Sequence, residues 1–344
     1  MNLEKIVREN IWQLKPYSCA RDEFSGEASV WLDANESPYN NPYNRYPDPL
    51  QSKVKAKLAG MRGAVPEQMF LGVGSDECID TVYRVFCNPG IDNVVAIAPS
   101  YGMYEVCADI NDVAYRKAML TEDFDIDIQA IFEKVDQHTK VVWICSPNNP
   151  TGNAFSRNSI EAICAGFAGI VVVDEAYIDF SDKGSMVGLL YKYPNLIVLQ
   201  TMSKAWGSAS IRLGIAFAAP QIIAIFNKVK YPYNINLLTQ NYALEMLNRS
   251  SEVQTWVDVT IQQRQAMAEQ LAALPIVEKI FPSDANFLLA RVTDADGIYN
   301  YLCNRGIVVR NRNNVPLCKG CIRFTVGTAE ENTNLINALS NYGK

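Results

Sequence analysis

The chain has 344 residues, of which 49% are hydrophobic and 20% charged, a composition typical of a globular protein with an ample core rather than a disordered or fibrous one. The formal net charge is −6 and there is no run of lysines or arginines, so we expect no nucleic-acid or membrane partner. The longest apolar run, residues 162–173, is too short to span a bilayer, and the N-terminal MNLEKIVREN lacks the apolar core of a signal peptide. We therefore expect a cytoplasmic protein of about two domains.

Histidine and cysteine usage limits the chemistry further. The single histidine, His138, lies in the polar segment DQHTK, so a multi-histidine metal site is excluded and a serine–histidine–aspartate triad would depend on this one residue. Acid–base catalysis is thus expected from a lysine, a carboxylate or a tyrosine. The nine cysteines are scattered through mostly apolar segments. Cys318 and Cys321 form a lone CxxC without a second pair, and we predict no metal site.

In chain order, residues 1–35 form an N-terminal arm that we expect to join the smaller domain. A large domain is predicted over residues 36–235, because six continuous apolar runs alternate there with helix-like stretches such as 76–86 and 157–165. Continuous apolar runs are typical of strands covered on both faces, and strand–helix alternation predicts a mostly parallel α/β sheet. The six predicted strands are residues 69–73, 93–98, 140–145, 169–174, 195–200 and 213–219.

The pattern changes after residue 220. Two long helical stretches are predicted near 220–248 and 251–273, followed by a closing helix near 329–341. Between them, β-branched and aromatic runs predict strands. These strands are residues 277–281, 286–292, 306–309 and 321–326. We interpret residues 236–344 as a small C-terminal α+β domain.

Polar side chains follow four of the predicted strands, and ligands of open α/β sheets bind beyond the carboxyl ends of strands. The first segment, GVGSDECID (72–80), is a glycine turn that leads into a helix. The free backbone N–H groups of the first helical turn could hold an anion there, although Asp76 could equally be a helix cap. Glu77 occupies the position of the third glycine in the dinucleotide-binding fingerprint, which disfavours a nicotinamide dehydrogenase.

The second and third segments carry an amide and a carboxylate. In CSPNNPTG (145–152), prolines and asparagines predict a rigid turn, from which an asparagine could bind a ligand oxygen. In VVVDEAYIDF (171–180), Asp174 ends a buried strand, where a carboxylate is costly unless a cation or donor pairs with it. Tyr177 follows three positions later. A plain turn and a helix cap remain the alternative interpretations.

The fourth segment is TMSKAWGSASIRLG (201–214). A lysine in a partly desolvated pocket can have a pKa low enough for Schiff-base chemistry, and Lys204 is such a candidate. Thr201, Ser203 and Arg212 would suit an anion nearby.

The order of these segments resembles that of the fold-type I pyridoxal-phosphate aminotransferases, and most closely of the histidinol-phosphate branch. Further segments of the resemblance are WLDANESPY (31–39), NRYPDP (44–49), PSYGMYE (99–105) and GCIRFTVGT (320–328). The resemblance implies a mostly parallel seven-stranded sheet flanked by helices, with a smaller α+β domain. One departure lies between the lysine and the arginine, where Ser208 and Ser210 interrupt a pattern that relatives fill with glycine, leucine and alanine.

The resemblance also implies residue roles toward pyridoxal 5'-phosphate. Lys204 would carry the cofactor and move the substrate proton, Asp174 would pair with the pyridinium nitrogen, Asn149 and Tyr177 would bind the ring oxygen, and Tyr101 would stack on the ring. The expected phosphate ligands are Ser75, Asp76, Thr201, Ser203, Arg212 and, from a partner subunit, Tyr46. A homodimer with shared active sites follows from that last assignment.

For substrate, the resemblance implies binding by Tyr17, Asn35, Arg310 and Arg323. The implied reaction transfers an amino group between L-histidinol phosphate and 2-oxoglutarate, giving imidazole acetol phosphate and L-glutamate, in histidine biosynthesis. The alternatives are an aromatic or broad-specificity aminotransferase, a lyase similar to phosphothreonine decarboxylases, and a binding module that retains only the fold.

Overall fold

The computed structural model describes residues 2–19, 26 and 28–343. The α-helices are α1 (Glu9–Trp12), α2 (Ser52–Arg62), α3 (Gly74–Phe86), α4 (Met103–Ile110), α5 (Ile128–Glu133), α6 (Arg157–Gly166), α7 (Pro220–Val229), α8 (Leu237–Asn248), α9 (Ser250–Ala272), α10 (Ala295–Cys303) and α11 (Ala329–Ser340). Single 3-10 turns lie at Leu3–Lys5, Pro66–Gln68, Ile178–Phe180, Met186–Leu189 and Ala209–Ile211.

The larger sheet has seven strands in the order β1-β7-β6-β5-β4-β2-β3. The strands are β1 (Met69–Val73), β2 (Asn93–Ala98), β3 (Ala114–Met119), β4 (Thr139–Cys145), β5 (Ile170–Asp174), β6 (Leu196–Thr201) and β7 (Leu213–Ala218). Only β7 runs against the others, since it pairs antiparallel with both β1 and β6. The predicted fold class, a mostly parallel seven-stranded sheet with helices, is confirmed.

Both faces of this sheet are buried, which is why its strands are continuous apolar runs. Along β4, Val142 and Ile144 belong to the core on one face, while Val141 and Trp143 belong to the core on the other. All four side chains are fully buried. Side chains alternate between the faces of a strand, so a strand covered on both sides needs an apolar residue at every position.

The strand β3 was not among the predicted elements. It lies at the edge of the sheet and pairs only with β2. Its sequence AYRKAM carries two cations, and Ala118 is its one fully buried residue. An edge strand that is half exposed does not show the continuous apolar pattern used to recognise the others.

The smaller sheet is antiparallel, with the order β10-β11-β9-β8. Its strands are β8 (Val277–Ile280), β9 (Phe287–Val292), β10 (Arg310–Asn311) and β11 (Cys321–Thr325). It packs with α10 and α11 around a separate core that includes Leu288, Ile298, Phe324 and Leu335.

Two predictions for this half of the chain are wrong. Residues 306–309 form no strand, because the N–H of Ile307 donates to the C=O of Leu302 at 3.0 Å and closes helix α10, with Gly306 at a φ of +75°. Residues 220–248 form two helices instead of one. Helix α7 ends before a segment that contains Pro232. Helix α8 begins after this segment, where the Asn236 side chain accepts a hydrogen bond from the Thr239 N–H at 2.9 Å.

The topology brings the chemically important segments to one edge. Strands β1, β2, β4, β5 and β6 all end there, and β7 begins there because it runs the other way. Each of the four polar segments therefore starts at the same edge of the sheet. In the described part of the chain, no helix has the length and apolar character that a membrane span requires.

Candidate active site

A cavity of about 780 Å³ lies at this carboxyl edge and extends to the small sheet. Most of the predicted site residues line it. They are Ser75, Asp76, Tyr101, Asn149, Asp174, Tyr177, Thr201, Ser203, Lys204, Arg212, Arg310 and Arg323. The structure thus brings together residues that are more than 200 positions apart in the sequence, from both sheets.

Three predicted residues do not line the cavity within the single chain. Tyr17 is 75% exposed and Asn35 is also exposed. Tyr46 is 49% exposed and stacks on Tyr233, with ring centroids 4.4 Å apart. For Tyr46 this position agrees with the expectation that it serves a partner's site, which a single chain does not test.

Asp174 forms the base of the cavity. It is 2% exposed, and its carboxylate accepts hydrogen bonds from the Tyr104 hydroxyl at 2.7 Å and from the Ala176 N–H at 3.0 Å. Among the described residues, no cationic side chain comes within 4.0 Å of this carboxylate. Desolvation raises the pKa of Asp174. A buried carboxylate with two donors and no cation is suited to a ligand that brings the cation itself.

Lys204 follows β6 and faces the same cavity. Its Nζ lies 5.6 Å from the ring centroid of Tyr177. The residue is open to the solvent in the cavity, yet the surrounding protein desolvates its amino group, and this lowers the pKa of Lys204, with the charge of Arg323 lowering it further. A lowered pKa increases the fraction of neutral amine, which is the nucleophilic and basic form.

A third group links the two sheets through Asn149. Its Nδ2 donates to the Tyr177 hydroxyl at 3.5 Å, and its Oδ1 accepts a hydrogen bond from Arg323 Nη1 at 2.5 Å. Tyr177 is buried and packs edge-on against Phe287 of β9, with centroids 5.2 Å apart. Because these contacts join the loops that follow β4 and β5 to the small sheet, the amide, the phenol and the guanidinium converge on one side of the cavity.

The opposite corner has the character of an anion site. Helix α3 starts there without a side-chain cap, so the N–H groups that follow Gly74 in its first turn can face an anion at the positive end of the helix dipole. Arg212 Nη2 lies 3.0 Å from Asp76 Oδ2, and Arg212 Nη1 donates to Ser203 Oγ at 3.4 Å. The Ser203 hydroxyl in turn lies 3.0 Å from Thr201 Oγ1.

Glycine is required at one position of this corner. Gly74 has a φ of +70° and its N–H donates to the C=O of Arg212 at 2.8 Å. A Cβ at Gly74 would overlap the Arg212 guanidinium. The absence of a side chain at Gly74 therefore lets the Arg212 guanidinium lie over the start of helix α3.

Sequence reasoning missed two residues of the site. Tyr104, the donor to Asp174, is fully buried and stacks on Trp143 with centroids 4.8 Å apart. Its position three residues after Tyr101, at the start of a helix, was the available signal. Arg312 lines the cavity with Arg310 and Arg323, and it was missed because only the pairing of β10 with β11 brings it to the same side as the other two arginines.

The departure at Ser208 and Ser210 leaves this geometry intact. Ser208 is buried, and its hydroxyl donates to the C=O of Trp206 at 2.8 Å, while Ser210 is exposed. Neither residue lines the cavity. The two serines are therefore accommodated within the loop, and Lys204 and Arg212 keep their positions.

These features fit pyridoxal 5'-phosphate. Asp174 lacks a cation that a protonated pyridine nitrogen would supply, and Lys204 provides the amine. The corner formed by helix α3 and Arg212 has the donors that a phosphate needs.

Comparisons with known proteins place the chain in a family. The model of the aminotransferase class I and II family matches residues 22–339. A histidinol-phosphate aminotransferase of Parabacteroides distasonis is 56% identical over 340 residues, which are 99% of each chain. The crystal structure of the histidinol-phosphate aminotransferase from Clostridium acetobutylicum superposes with a TM-score of 0.80 at 24% identity, covering 87% of this chain and 90% of that one.

A second solved structure is that of the histidinol-phosphate aminotransferase from Sinorhizobium meliloti in complex with pyridoxal-5'-phosphate, with a TM-score of 0.80 at 22% identity, covering 86% of this chain and 82% of that one. At this identity the likeness shows the fold. The match to the family model and the 56% identity over the whole length show the family as well as the fold. The chain belongs to the class I and II aminotransferases and, within them, to the histidinol-phosphate aminotransferase family.

Proposed function

We propose that this aminotransferase uses pyridoxal 5'-phosphate to transfer an amino group between L-histidinol phosphate and 2-oxoglutarate, forming imidazole acetol phosphate and L-glutamate. The observation that carries the proposal is a single cavity in which Lys204, the buried Asp174 and the Arg323–Asn149 pair face one another. The 56% identical relative carries the name of this activity. Such a reaction is a step of histidine biosynthesis, which is consistent with the expected cytoplasmic location.

The cofactor, when bound, supplies an electron sink for the carbanion at the substrate Cα. Asp174 would hold the ring nitrogen in its protonated form, and Asn149 and Tyr177 would bind the ring oxygen. Tyr101 would cover one face of the ring. The Tyr104 hydroxyl donates a hydrogen bond to Asp174 Oδ2 at 2.7 Å and so helps to hold the carboxylate in place.

Proton transfer is the task we assign to Lys204. Lys204 lines the cavity, and its lowered pKa favours the neutral amine, which could accept the proton from the substrate Cα and return it to C4′ of the cofactor. The nearby positive charge of Arg323, rather than a carboxylate, dominates the electrostatics around this amine after desolvation.

For the two substrates to react in turn, one cavity has to accept a phosphate ester and a dicarboxylate. Arg323, fixed by Asn149, presents a guanidinium fork that suits either anion. We infer ping-pong kinetics, in which parallel lines are expected in initial-rate plots.

We further propose a homodimer in which Tyr46, and with it the segment containing Asn35 and the arm residue Tyr17, completes the partner's cavity. Several aromatic side chains near Tyr46 are exposed in the single chain. Their exposure supports the proposal that a partner subunit covers this surface. They are Tyr39 at 79%, Tyr43 at 62% and Tyr231 at 73%.

The test of the proposed function is spectroscopic. Purified protein loaded with pyridoxal 5'-phosphate should show a visible absorbance band, which L-histidinol phosphate alone should abolish and 2-oxoglutarate should restore. A band that responds to aromatic amino acids but not to L-histidinol phosphate would point to an aromatic aminotransferase. Release of CO2 from phosphothreonine without any keto acid would identify a lyase instead.

A further inference from the structure

Three arginines occupy one face of the small sheet where it borders the cavity. In the β10–β11 ladder, Arg310 lies directly opposite Arg323. Arg312 follows two positions after Arg310, and its N–H donates to the C=O of Cys321 at 2.9 Å, so the ladder continues past the end of β10. Since side chains alternate between faces, Arg310 and Arg312 project to the side of Arg323. All three line the cavity.

The positive charge of this group has no carboxylate partner in the described part of the chain. None of the three guanidinium groups has a carboxylate within 4.0 Å among the described residues. The acidic side chains of the cavity have partners elsewhere: Asp76 pairs with Arg212 at 3.0 Å, Glu105 pairs with Lys117 at 2.8 Å, and Asp174 accepts from Tyr104.

Arg312 is the arginine of this group whose pKa is lowered most clearly by its surroundings. Desolvation lowers the pKa of Arg312 to about 10, with further lowering by the charges of Arg323 and Arg310. Its Nε and that of Arg323 are buried without a hydrogen-bond partner in the part of the chain that is described. Like charges directly opposite each other destabilise a β ladder, so this arrangement favours an anion between the arginines.

The two amino donors differ in the anionic group that the arginines have to bind. Both donors must present their amino carbon to Lys204. On that carbon, L-glutamate bears its α-carboxylate, with two oxygens and one charge, and its second carboxylate lies at the end of the side chain. L-histidinol phosphate bears in the place of the α-carboxylate a longer arm that ends in a phosphate, with three terminal oxygens and up to two charges. One arginine can bind both oxygens of a carboxylate and neutralise its charge. A phosphate bound in the same way has one terminal oxygen and up to one negative charge left for a second arginine.

We propose that Arg312 is a specificity-determining residue that binds the substrate phosphate together with Arg323, and that it contributes little to binding of the glutamate carboxylate. This inference rests on the proposed function. Arg323 then serves both substrates, and Arg312 distinguishes them.

The test uses the holoenzyme of Arg312→Gln, with the KM measured for L-histidinol phosphate and, in the reverse direction, for L-glutamate. A hydrogen bond between charged groups has the strength to raise the KM for L-histidinol phosphate about ten- to a hundredfold, while we expect less than about a threefold change for L-glutamate and for kcat. Arg312→Lys should recover part of the loss. The control is Arg305→Gln, because Arg305 stacks on Tyr301 at 3.7 Å outside the cavity and should alter neither KM.

Inorganic phosphate provides a readout independent of turnover. Its binding to the holoenzyme, measured by calorimetric titration, should weaken in Arg312→Gln by a similar factor. An equal loss for both amino donors, or an unchanged KM and phosphate affinity in a folded variant, would overturn the inference. If the wild type fails to turn over L-histidinol phosphate, the proposed function fails, and the phosphate titration still decides whether Arg312 binds the anion.

Discussion

At the scale of single residues, the site depends on buried polar groups that have incomplete partners. Among the described residues, Asp174 has two donors and no cation, and Arg323 has one amide contact and a buried Nε without a hydrogen-bond partner. Each would be costly in a chain that bound nothing, because a buried charge needs a counter-charge. Their incomplete pairing indicates where a cofactor and a substrate supply the missing groups.

A glycine offers a residue-scale prediction. Replacing Gly74 by alanine places a Cβ against the Arg212 guanidinium, so the arginine must move away from the start of helix α3. We expect the affinity for pyridoxal 5'-phosphate to fall at least about tenfold, which corresponds to the loss of one hydrogen bond to a charged group. An absorbance titration of the apoenzyme measures it.

The control for this prediction is Gly63→Ala. Gly63 also has a positive φ, +66°, but a Cβ there would meet nothing within 4 Å. It therefore reproduces the backbone strain of about 1 kcal/mol without the displaced arginine. An equal loss of cofactor affinity in the two variants would show that backbone strain, and not the displaced arginine, causes the loss. Wild-type affinity in Gly74→Ala would contradict the prediction.

At the scale of elements, Glu175 ties the end of β5 to its surroundings. This fully buried carboxylate accepts hydrogen bonds from Ser185 Oγ at 2.6 Å, from the Met186 N–H at 2.6 Å and from Gln200 Nε2 of β6 at 2.9 Å. It joins the loop that follows β5 to the neighbouring strand, immediately after Asp174. The three hydrogen bonds hold the loop that follows β5 against β6 at the edge of the sheet that borders the cavity.

Glu175 leads to a prediction for the pH dependence of stability. Desolvation raises its pKa from 4.5 to about 7. Between these values the folded protein binds a proton that the unfolded chain has released, so the contribution of this group to stability is present below pH 4.5 and is lost as the pH rises toward 7. The loss amounts to roughly 3 kcal/mol.

The measurement is the free energy of unfolding by urea at several pH values between 4.5 and 7. In Glu175→Gln the side chain no longer titrates, and the plot against pH should be flatter by about one proton over that interval. Glu122→Gln, which alters an exposed loop carboxylate, serves as the control and should keep the wild-type slope. An unchanged slope in Glu175→Gln would show that another group is responsible.

At the scale of the whole molecule, the chain builds most of one active site but leaves Tyr46 outside it. The cavity is lined by residues of both sheets of a single chain, whereas Tyr46 lies against Tyr233 with half of its surface exposed. A homodimer with shared sites would use this residue in the neighbouring cavity.

Mixing two variants, each impaired at a different residue of the shared site, tests that arrangement. Lys204→Ala removes the amine and should lower kcat at least about a thousandfold without unfolding the protein. Tyr46→Ala should be impaired in the partner's site. If the variants are unfolded and refolded together, a hybrid dimer contains one intact site, and random pairing restores about a quarter of the wild-type activity.

The matched control for mixing is Lys204→Ala with Asp174→Asn. Both residues line the cavity of the same chain, so no hybrid site is intact and no activity should return. Recovery in the first mixture alone supports shared sites. A monomer by sedimentation, or no recovery in the first mixture, would contradict the proposed dimer.

Local sequence was sufficient for the parts of the fold that depend on local patterns. Strands covered on both faces, such as β4 and β5, have continuous apolar runs, and residues that follow such runs lie at one edge of a parallel sheet. Asp174, Lys204 and Arg212 could be placed at a site for that reason, with the family resemblance assigning their roles.

Other features required the tertiary structure, because they depend on what lies across from a residue. The edge strand β3 has no continuous apolar run, and residues 306–309, three of which are β-branched, follow the end of helix α10 instead of pairing in a ladder. Tyr104 gains its role only by facing Asp174 from 70 positions away. Arg312 likewise joins Arg310 and Arg323 only through the pairing of β10 with β11. Chain order thus determined which strands end in polar groups, and the packing of the two sheets decided which of those groups meet.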